Sequence, residues 1–206
     1  MIAAFLVMPI VLILAVVCPI MLLCQGRPIL FVSERMRTPT EPFHLYKLRT
    51  MSPGAVEGVL GGNGEARVTP LGRWLRALRI DELPQIFNIL RGDMTFIGPR
   101  PPLRQYVSDY PEVYGSILME PPGVTGLATV MLHQREKRIL SRCNSEVETD
   151  SAYRERCIRP KARLDRFYRS HRCIVLDIKI LFWTFSRLAS RPTKRKRDAQ
   201  RHRFSR

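Results

Sequence analysis

Residues 67–101 read RVTPLGRWLRALRIDELPQIFNILRGDMTFIGPRP and carry the strongest structural signals of the chain. In the first part, apolar and basic side chains recur with helical spacing, with Trp74, Leu75 and Leu78 set against Arg73, Arg76 and Arg79. This pattern predicts a basic amphipathic helix. Helices of this composition bind anionic membrane surfaces, so we expect the helix to lie at a lipid interface.

A second, short helix is predicted to begin near Pro84 and to end at Gly92. Proline is tolerated in the first turn of a helix, and glycine suits the left-handed residue that closes one. Asp81 and Glu82 then lie at or just before the helix N-terminus. The helix dipole and the free amides favour negative charge there, and they also attract phosphate. Spacing alone leaves Asp81 either as a plain helix cap or as a residue with a chemical role.

Two strand-like runs, residues 29–34 and 43–49, precede this region and predict a β-hairpin. Alternation in the second run places Lys47 and Arg49 on one face, about 7 Å apart along the strand. Two cations at that spacing can both reach a diphosphate. The alternative is that both side chains extend from a surface strand into water.

The segment Gly98-Pro-Arg-Pro101 is stiff and extended, so it can hold the Arg100 guanidinium in a fixed direction. A guanidinium held in this way can bind phosphate with two parallel hydrogen bonds. The alternative is a turn whose arginine points into water. Together, the basic hairpin, the acidic pair and the rigid arginine are consistent with a site for an anionic, metal-chelated substrate, although spacing alone does not establish it.

The N-terminal segment contains no charged side chain before Arg27. Residues 1–24 are long and apolar enough for a helix that crosses a hydrocarbon layer. Pro19 removes a backbone donor and crowds the carbonyl of Ala15, which predicts a kink. A kinked span and a re-entrant hairpin both fit. In either case the basic residues that follow place the rest of the chain in the cytoplasm.

The C-terminal tail, residues 191–206, holds eight Lys and Arg residues against the single acid Asp198. An apolar and aromatic run, residues 174–188, precedes it and suits the boundary of lipid headgroups. We expect the polybasic tail to be disordered and to bind anionic lipid. Nucleic acid is the rival partner for such a tail, and a solvated tail without a partner is the third reading.

The overall composition excludes several classes of protein. The chain has 206 residues, a formal net charge of +16 and 45% hydrophobic residues, which is too apolar for an intrinsically disordered polymer. Five scattered cysteines do not form a disulfide framework. The four histidines lie far apart, so a structural zinc site has little support. Residues 52–66 are rich in glycine and predict a flexible loop.

The ordered set of motifs resembles the bacterial sugar transferase family, the monotopic phosphoglycosyl transferases that begin polyprenol-linked glycan assembly. The motifs are Gly26-Arg-Pro-Ile-Leu-Phe31, Pro42-Phe-His-Leu-Tyr-Lys-Leu-Arg-Thr-Met51, Thr69-Pro-Leu-Gly-Arg73, Asp81-Glu-Leu-Pro-Gln85, Asn88, Arg91-Gly-Asp-Met94, Gly98-Pro-Arg-Pro101, Pro122-Gly-Val-Thr-Gly-Leu-Ala128, Leu164-Asp165, Tyr168 and Leu176-Asp-Ile-Lys-Ile-Leu181. They cover nearly the whole chain except the basic tail. The resemblance is to the small form of the family, a catalytic domain with one membrane segment.

The resemblance implies an α+β fold, mostly helical, with a β-hairpin, interfacial amphipathic helices and an N-terminal re-entrant membrane helix. Residues 1–25 would form that helix, residues 26–190 the cytoplasmic catalytic domain and residues 191–206 the polybasic tail. In the family the membrane helix breaks near a Ser-Pro pair, which here corresponds to Cys18-Pro19. The catalytic domain would lie on the cytoplasmic face of the bacterial inner membrane.

The activity implied by the resemblance is the transfer of sugar-1-phosphate from a nucleotide diphosphate sugar, usually a UDP-sugar, to polyprenol (undecaprenyl) phosphate. UMP is released, and the lipid-linked product starts an exopolysaccharide, O-antigen, capsule or glycoprotein glycan. Asp81 matches the family's nucleophile, which forms a phosphosugar-aspartyl intermediate. Glu82 matches its partner, either a metal ligand or an acid/base group. Asp81 and Glu82 would bind Mg²⁺, and Lys47, Arg49 and Arg100 would offset phosphate charge.

One departure from the family pattern concerns the segment after Gly126-Leu-Ala128. The family commonly continues with Gln and an Asn-Gly-Arg turn, whereas this chain has Thr129-Val-Met-Leu-His-Gln-Arg135. Arg135 is therefore a candidate for the phosphate contact of the missing turn, and residues 136–159 are candidates for sugar or nucleobase preference. The alternative to an enzyme is a membrane-anchored basic protein that binds lipid or nucleic acid without chemistry.

Overall fold

The computed structural model describes residues 2–52 and 67–189. Nearly all of the predicted glycine-rich loop, residues 53–66, and the whole basic tail, residues 191–206, lie outside the described residues. The described chain is mostly helical, with two small two-stranded sheets. The predicted mixture of helices with one β-hairpin is confirmed at this level.

The first helix, α1, spans Ile2–Gln25 and continues through both Pro9 and Pro19. Its segment Met8–Gln25 has a mean hydropathy of 2.5 and is long and apolar enough to cross a membrane. Val17 and Met21 pack against the rest of the protein, in a cluster that includes Leu48 and Leu75. Most of the other described side chains of α1 are apolar and exposed, which is unfavourable in water unless lipid covers them.

The predicted hairpin is confirmed as β1, Leu30–Met36, paired antiparallel with β2, Pro42–Leu48. β1 extends two residues beyond its predicted end, because the buried Met36 donates its N–H to the Pro102 carbonyl, 3.0 Å away. The register pairs Arg35 with Phe43 and Phe31 with Lys47. Directly paired residues share a face of the sheet, so Arg35 and Lys47 lie on the same face.

The central motif folds as α2, Pro70–Leu78, a 3₁₀ turn, Ile80–Glu82, and α3, Gln85–Arg91. The Thr69 hydroxyl caps α2 by accepting the N–H of Gly72 at 2.9 Å. Gly72 is required here, because a Cβ atom would lie 2.2 Å from the Thr50 carbonyl oxygen. α3 ends at Gly92 in the left-handed conformation, with φ +79°, as the sequence predicts.

The amphipathic character of α2 is only partly as predicted. Leu75 is fully buried, and Trp74 and Leu78 are about half exposed. The prediction that Arg79 lies on the polar face of the helix is wrong. Arg79 ends the helix in a left-handed conformation with φ +56°. Its N–H bonds to the carbonyl of Arg76, and its side chain turns toward Glu82. The Arg76 side chain donates to the Thr50 hydroxyl at 2.7 Å.

A short parallel pair of strands fixes the Gly98–Pro101 segment, namely β3, Thr95–Ile97, and β4, Gly123–Thr125. The backbones approach so closely that a Cβ atom on Gly123 would lie 2.1 Å from the Gly98 nitrogen. The Gly98 N–H donates to the Thr125 carbonyl at 2.9 Å, and the Gly123 N–H donates to the Pro99 carbonyl at 2.8 Å. Arg100 therefore extends from a backbone held on both sides.

The remaining helices form the main core behind this pair. They are α4, Arg104–Asp109; α5, Pro111–Ile117; α6, Leu127–Leu140; α7, Glu146–Tyr153; α8, Arg159–Ser170; and α9, Ile174–Ala189, with a π-helical segment, Arg154–Ile158, between α7 and α8. One cluster of buried side chains joins β1, α4, α5 and α8. α9 is tied down by the Tyr168 hydroxyl, which donates to Asp177 at 2.6 Å, while Ile178, Phe182 and Phe185 stay exposed.

Candidate active site

The acidic pair lies in the 3₁₀ turn that joins α2 to α3. The left-handed Arg79 ends α2, and the Leu83 N–H then bonds to the Ile80 carbonyl at 3.1 Å, so the chain turns sharply with both acids at the bend. Asp81 is 9% exposed, and the Glu82 side chain is 10% exposed. Two adjacent carboxylates at this depth need compensating charge or a ligand.

Glu82 receives that charge from three basic side chains. Lys47 Nζ and Arg100 Nη2 each lie 3.5 Å from Glu82 Oε1, and Arg79 pairs with the other oxygen. Burial by itself raises the pKa of Glu82, but the three cations outweigh it and lower the pKa to about 2. Glu82 is therefore ionised at any physiological pH. In the same cluster, burial and the neighbouring Arg100 lower the pKa of Lys47 to about 8.

Asp81 has the opposite environment. Burial, and then the neighbouring Glu82, raise its pKa, while Lys47, Arg76 and Arg79 act in the other direction. Within residues 2–52 and 67–189, no hydrogen bond or salt bridge engages its carboxylate. When this carboxyl group is ionised, its unused lone pairs beside the cationic cluster are available to a metal ion or an electrophile.

Asn88 connects α3, the helix that follows the acidic turn, to strand β2 of the hairpin. It is fully buried, and its Oδ1 accepts the N–H of Tyr46 at 3.1 Å. Its Nδ2 donates to the His44 carbonyl at 2.7 Å and to Asp93 Oδ2 at 3.2 Å. The side chain thus pairs with β2 as a neighbouring strand would. Lys47, the next residue of β2, is brought within reach of Glu82 by this contact.

A small cleft with a strongly basic lining adjoins Glu82 through Lys47 and Arg100, which line it and pair with that carboxylate, while neither acid is itself a lining residue. The cleft contains two predicted site residues, Lys47 and Arg100, together with Gln85, which the sequence offered only as part of the Asp81–Gln85 motif, and Arg35, which the sequence did not indicate. The other lining residues are Leu45, Pro101, Gly123 and Val124. Arg35 could be assigned to the cleft only from the register of the hairpin. The pairing of the two strands shows that Arg35 and Lys47 share one face of the sheet.

The structure does not bring Arg49 to the acidic pair. β2 ends at Leu48, and the Arg49 guanidinium turns to the end of α1, where it donates to the carbonyls of Gln25, Gly26 and Arg27. The bonds to Gly26 and Arg27 are both 3.0 Å long. The last carbonyls of a helix lack intrahelical partners, and a guanidinium with several donors satisfies them well. Lys47 and Arg49 therefore diverge instead of sharing one ligand.

Arg135 does not line the basic cleft. It is exposed on α6 and lines a different cleft, together with Glu136, Arg156, Cys157 and Lys161. Lys161 in this cleft is paired with Glu136, with both N–O distances at 3.1 Å. Cys18 and Pro19 lie within the continuous helix α1. The predicted phosphate contact of Arg135 and the predicted break at Cys18-Pro19 stay predictions.

Comparison with known proteins identifies the family. The model of the bacterial sugar transferase family matches residues 1–191. The chain belongs to the bacterial sugar transferase family. The match covers the hairpin, the acidic turn, the Arg100 segment and α9, so the resemblance predicted from the motifs is confirmed along almost the full sequence.

Two relatives illustrate the similarity to individual sugar transferases. The UDP-N-acetylgalactosamine-undecaprenyl-phosphate N-acetylgalactosaminephosphotransferase of Aeromonas hydrophila is 38% identical over 111 residues, which is 50% of this chain and 26% of the relative. The UDP-glucose:undecaprenyl-phosphate glucose-1-phosphate transferase of Caulobacter vibrioides is 43% identical over 109 residues, 50% of this chain and 40% of the relative. The matches to these two relatives therefore span less than half of each relative's length.

The donor set of the site is compatible with the magnesium ion expected from the family resemblance. Within the described residues, no group of three or more His, Cys, Asp and Glu side chains is suited to a metal. Mg²⁺ commonly binds through one or two carboxylates, with substrate phosphates and waters as the other ligands. Asp81 offers a carboxylate without a protein partner, whereas the oxygens of Glu82 are occupied by cations. Asp81 therefore fits a metal ligand better than Glu82 does.

Proposed function

We propose that this chain transfers sugar-1-phosphate from a UDP-sugar to undecaprenyl phosphate, with release of UMP. The observation that carries the proposal is the unequal pair of carboxylates: Glu82 is neutralised by three cations, while the adjacent Asp81 is left without a protein partner. The basic cleft beside the pair suits a diphosphate. Family membership and the activities for which the two relatives are named support the same substrates.

In the proposed reaction, the Asp81 carboxylate attacks the phosphorus atom that carries the sugar. The bond from that phosphorus to the bridging oxygen breaks, UMP leaves, and a phosphosugar-aspartyl intermediate remains. A phosphate oxygen of the polyprenol phosphate then attacks the same phosphorus and frees the carboxylate. Lys47 and Arg100 offset the charge on the transferred group. Mg²⁺, held by Asp81 and the substrate phosphates, would neutralise phosphate charge when bound.

Glu82 acts in this proposal by holding its cations in place. A carboxyl group with a pKa of about 2 is a poor general acid at neutral pH. Its ion pairs instead fix Lys47, Arg79 and Arg100 around the cleft. We therefore propose that Glu82 positions these cations, and that it serves neither as a metal ligand nor as an acid/base group.

The exposed apolar surface supports action at a membrane. α1 exposes most of its described apolar side chains, and Trp74 of α2 and Phe182 and Phe185 of α9 are each more than half exposed. We place the catalytic domain on the cytoplasmic face of the bacterial inner membrane, anchored by α1 as a re-entrant or spanning helix. The polybasic tail would add attraction to anionic lipid.

The test uses the full chain in detergent or nanodiscs with Mg²⁺, undecaprenyl phosphate and a panel of UDP-sugars. We expect UMP release with at least one donor and its loss in Asp81→Asn, with membrane association unchanged. Glu112→Gln, which alters an exposed acid of α5, is the matched control and should keep full activity. Incubation with the donor alone should add one sugar phosphate to Asp81, detectable by mass spectrometry.

Two outcomes would contradict the proposal in different ways. Release of UDP would identify an ordinary glycosyl transferase. Release of no nucleotide across the donor panel, combined with tight binding of short duplex DNA at physiological salt, would favour the basic non-enzymatic protein. Activity without an adduct on Asp81 would refute the covalent route while leaving the overall transfer standing.

A further inference from the structure

Gln85 is a buried polar residue without an assigned role. It is the first residue of α3, it is only 3% exposed, and it lines the basic cleft. In the part of the chain that the structure describes, no hydrogen bond engages its side-chain amide. Asn88, one turn later on the same helix, shows the contrast, because it is fully buried and makes three hydrogen bonds. Among the described residues, the fully buried unpaired side-chain atoms are Gln25 Nε2 and Arg49 Nε, so the unpaired amide of Gln85 keeps some contact with solvent. Because Gln85 lines the cleft, a ligand there can reach this amide and supply its missing hydrogen bonds.

The surroundings of the amide define the kind of ligand. The other polar side chains of the cleft, Arg35, Lys47 and Arg100, are all basic. An anionic residue in place of Gln85 would pair with these cations and reduce the positive field of the cleft. A neutral amide leaves the field intact and adds two N–H donors. A ligand with several acceptor oxygens and negative charge, which is a phosphoryl group, satisfies both the cations and the amide.

The position of Gln85 along the chain connects it to the acidic turn. It follows Asp81 by four residues, and the segment between them runs from the end of the 3₁₀ turn at Glu82 to Pro84, the N-cap of α3. Hydrogen bonds around this segment, from Leu83 N–H to the Ile80 carbonyl and from Ile86 N–H to the Leu83 carbonyl, are both 3.1 Å long. A ligand group held by Gln85 is thus held by the same short, regular piece of backbone that carries Asp81.

We propose that the Gln85 carboxamide binds substrate in the basic cleft, donating a hydrogen bond from Nε2 to a phosphoryl oxygen and so orienting the phosphorus toward Asp81. This inference rests on the proposed function, because it assumes a phosphorylated substrate. The contact is geometric and carries no charge of its own. The phosphoryl oxygen belongs either to the UDP-sugar or to the polyprenol phosphate, and the two sources can be separated by experiment.

The decisive variant is Gln85→Met, which keeps the length of the side chain and removes its hydrogen bonds. We expect the Michaelis constant of the substrate concerned to rise roughly ten- to hundred-fold, the effect of one lost hydrogen bond to a charged group. The melting temperature should stay the same or rise, because no protein partner is left unpaired. Gln134→Met on the exposed face of α6 is the matched control and should change neither quantity.

Two arms identify the phosphate and keep the result independent of the overall reaction. Michaelis constants are measured separately for the UDP-sugar and for undecaprenyl phosphate, and calorimetry measures UDP binding to the full chain without turnover. A rise confined to the UDP-sugar, with weaker UDP binding, assigns the contact to the donor. A rise confined to undecaprenyl phosphate assigns it to the acceptor.

The inference is overturned if Gln85→Met matches the wild type in both Michaelis constants and in UDP binding. It is also overturned if the variant loses affinity only together with a marked fall in melting temperature, since that result indicates a packing role. Failure of the proposed function looks different, because the wild-type chain then releases no UMP from any donor. In that case UDP binding to wild type and variant still tests a donor contact of Gln85, and binding of undecaprenyl phosphate to the full chain tests an acceptor contact.

Discussion

Asn88→Ala should destabilise the protein by removing the contact that docks α3 on the hairpin. The substitution removes three hydrogen bonds of 2.7–3.2 Å, two of them to main-chain groups of β2. A typical net contribution of about 1 kcal/mol per bond gives a loss of about 3 kcal/mol in the free energy of unfolding. For a chain of this size, that corresponds to a fall of roughly 6–12 °C in melting temperature.

The assay is thermal unfolding of the detergent-solubilised full chain, followed by UMP formation at a temperature where the variant is folded. Asn144→Ala is the control, because Asn144 is exposed and only its main-chain N–H is hydrogen-bonded. The control should shift the free energy by less than about 0.5 kcal/mol. We expect Asn88→Ala to lose catalytic efficiency as well, since Lys47 is held against Glu82 through the same strand. A melting temperature within 2 °C of the control, a margin below that expected for about 1 kcal/mol, would refute this account of the site.

Two further predictions concern residues outside the acidic pair. Arg49→Lys should lower the melting temperature by several degrees with little change in the Michaelis constant for the UDP-sugar, because the guanidinium caps α1; a tenfold rise in that constant without destabilisation would instead support a phosphate contact. Burial raises the pKa of Asp165 from 3.8 to about 7. The folded chain therefore binds this proton more tightly than the unfolded chain, and ionisation of Asp165 destabilises the folded state. This destabilisation is absent below about pH 4 and complete above about pH 7. Asp165→Asn should raise the melting temperature at pH 8 but not at pH 4, and an equal gain at both pH values would contradict this.

Local sequence signals were sufficient for the elements that carry the acids. Pro84 and Gly92 bracket α3 as predicted, because the restrictions of proline and the freedom of glycine at positive φ act within a single turn. Two runs of strand-forming residues predicted the hairpin, and the observed pairing extends β1 two residues beyond its predicted end. The long apolar helix α1 followed from composition alone. In each case the deciding interaction lies within a few residues of the signal.

The direction of the basic side chains could not be obtained in the same way. Arg49 turns away from Lys47 because the carbonyls of α1, more than twenty residues earlier, offer it partners. Arg79 lies outside its predicted helix because it adopts a left-handed conformation that non-glycine residues seldom adopt. Arg35 and Gln85 line the cleft because the two strands pair and α3 packs against β2. Contacts across the chain decide these positions, and a pattern read along the sequence does not contain them.

The acidic pair shows how one short motif obtains two different carboxylates from neighbouring residues. Both acids are buried, so both would have a raised pKa if burial acted alone. The salt bridges of Lys47, Arg79 and Arg100 all go to Glu82, which thereby becomes a permanent anion and holds these cations around the cleft. Asp81 feels the positive field of two of the three without being bonded to any of them, so it keeps its lone pairs for a metal ion or for phosphorus. If the cations were bound to Asp81 instead, the proposed nucleophile would be blocked by the groups that are proposed to bind its substrate. The inequality of the two acids is therefore the feature of the fold on which the proposed chemistry depends.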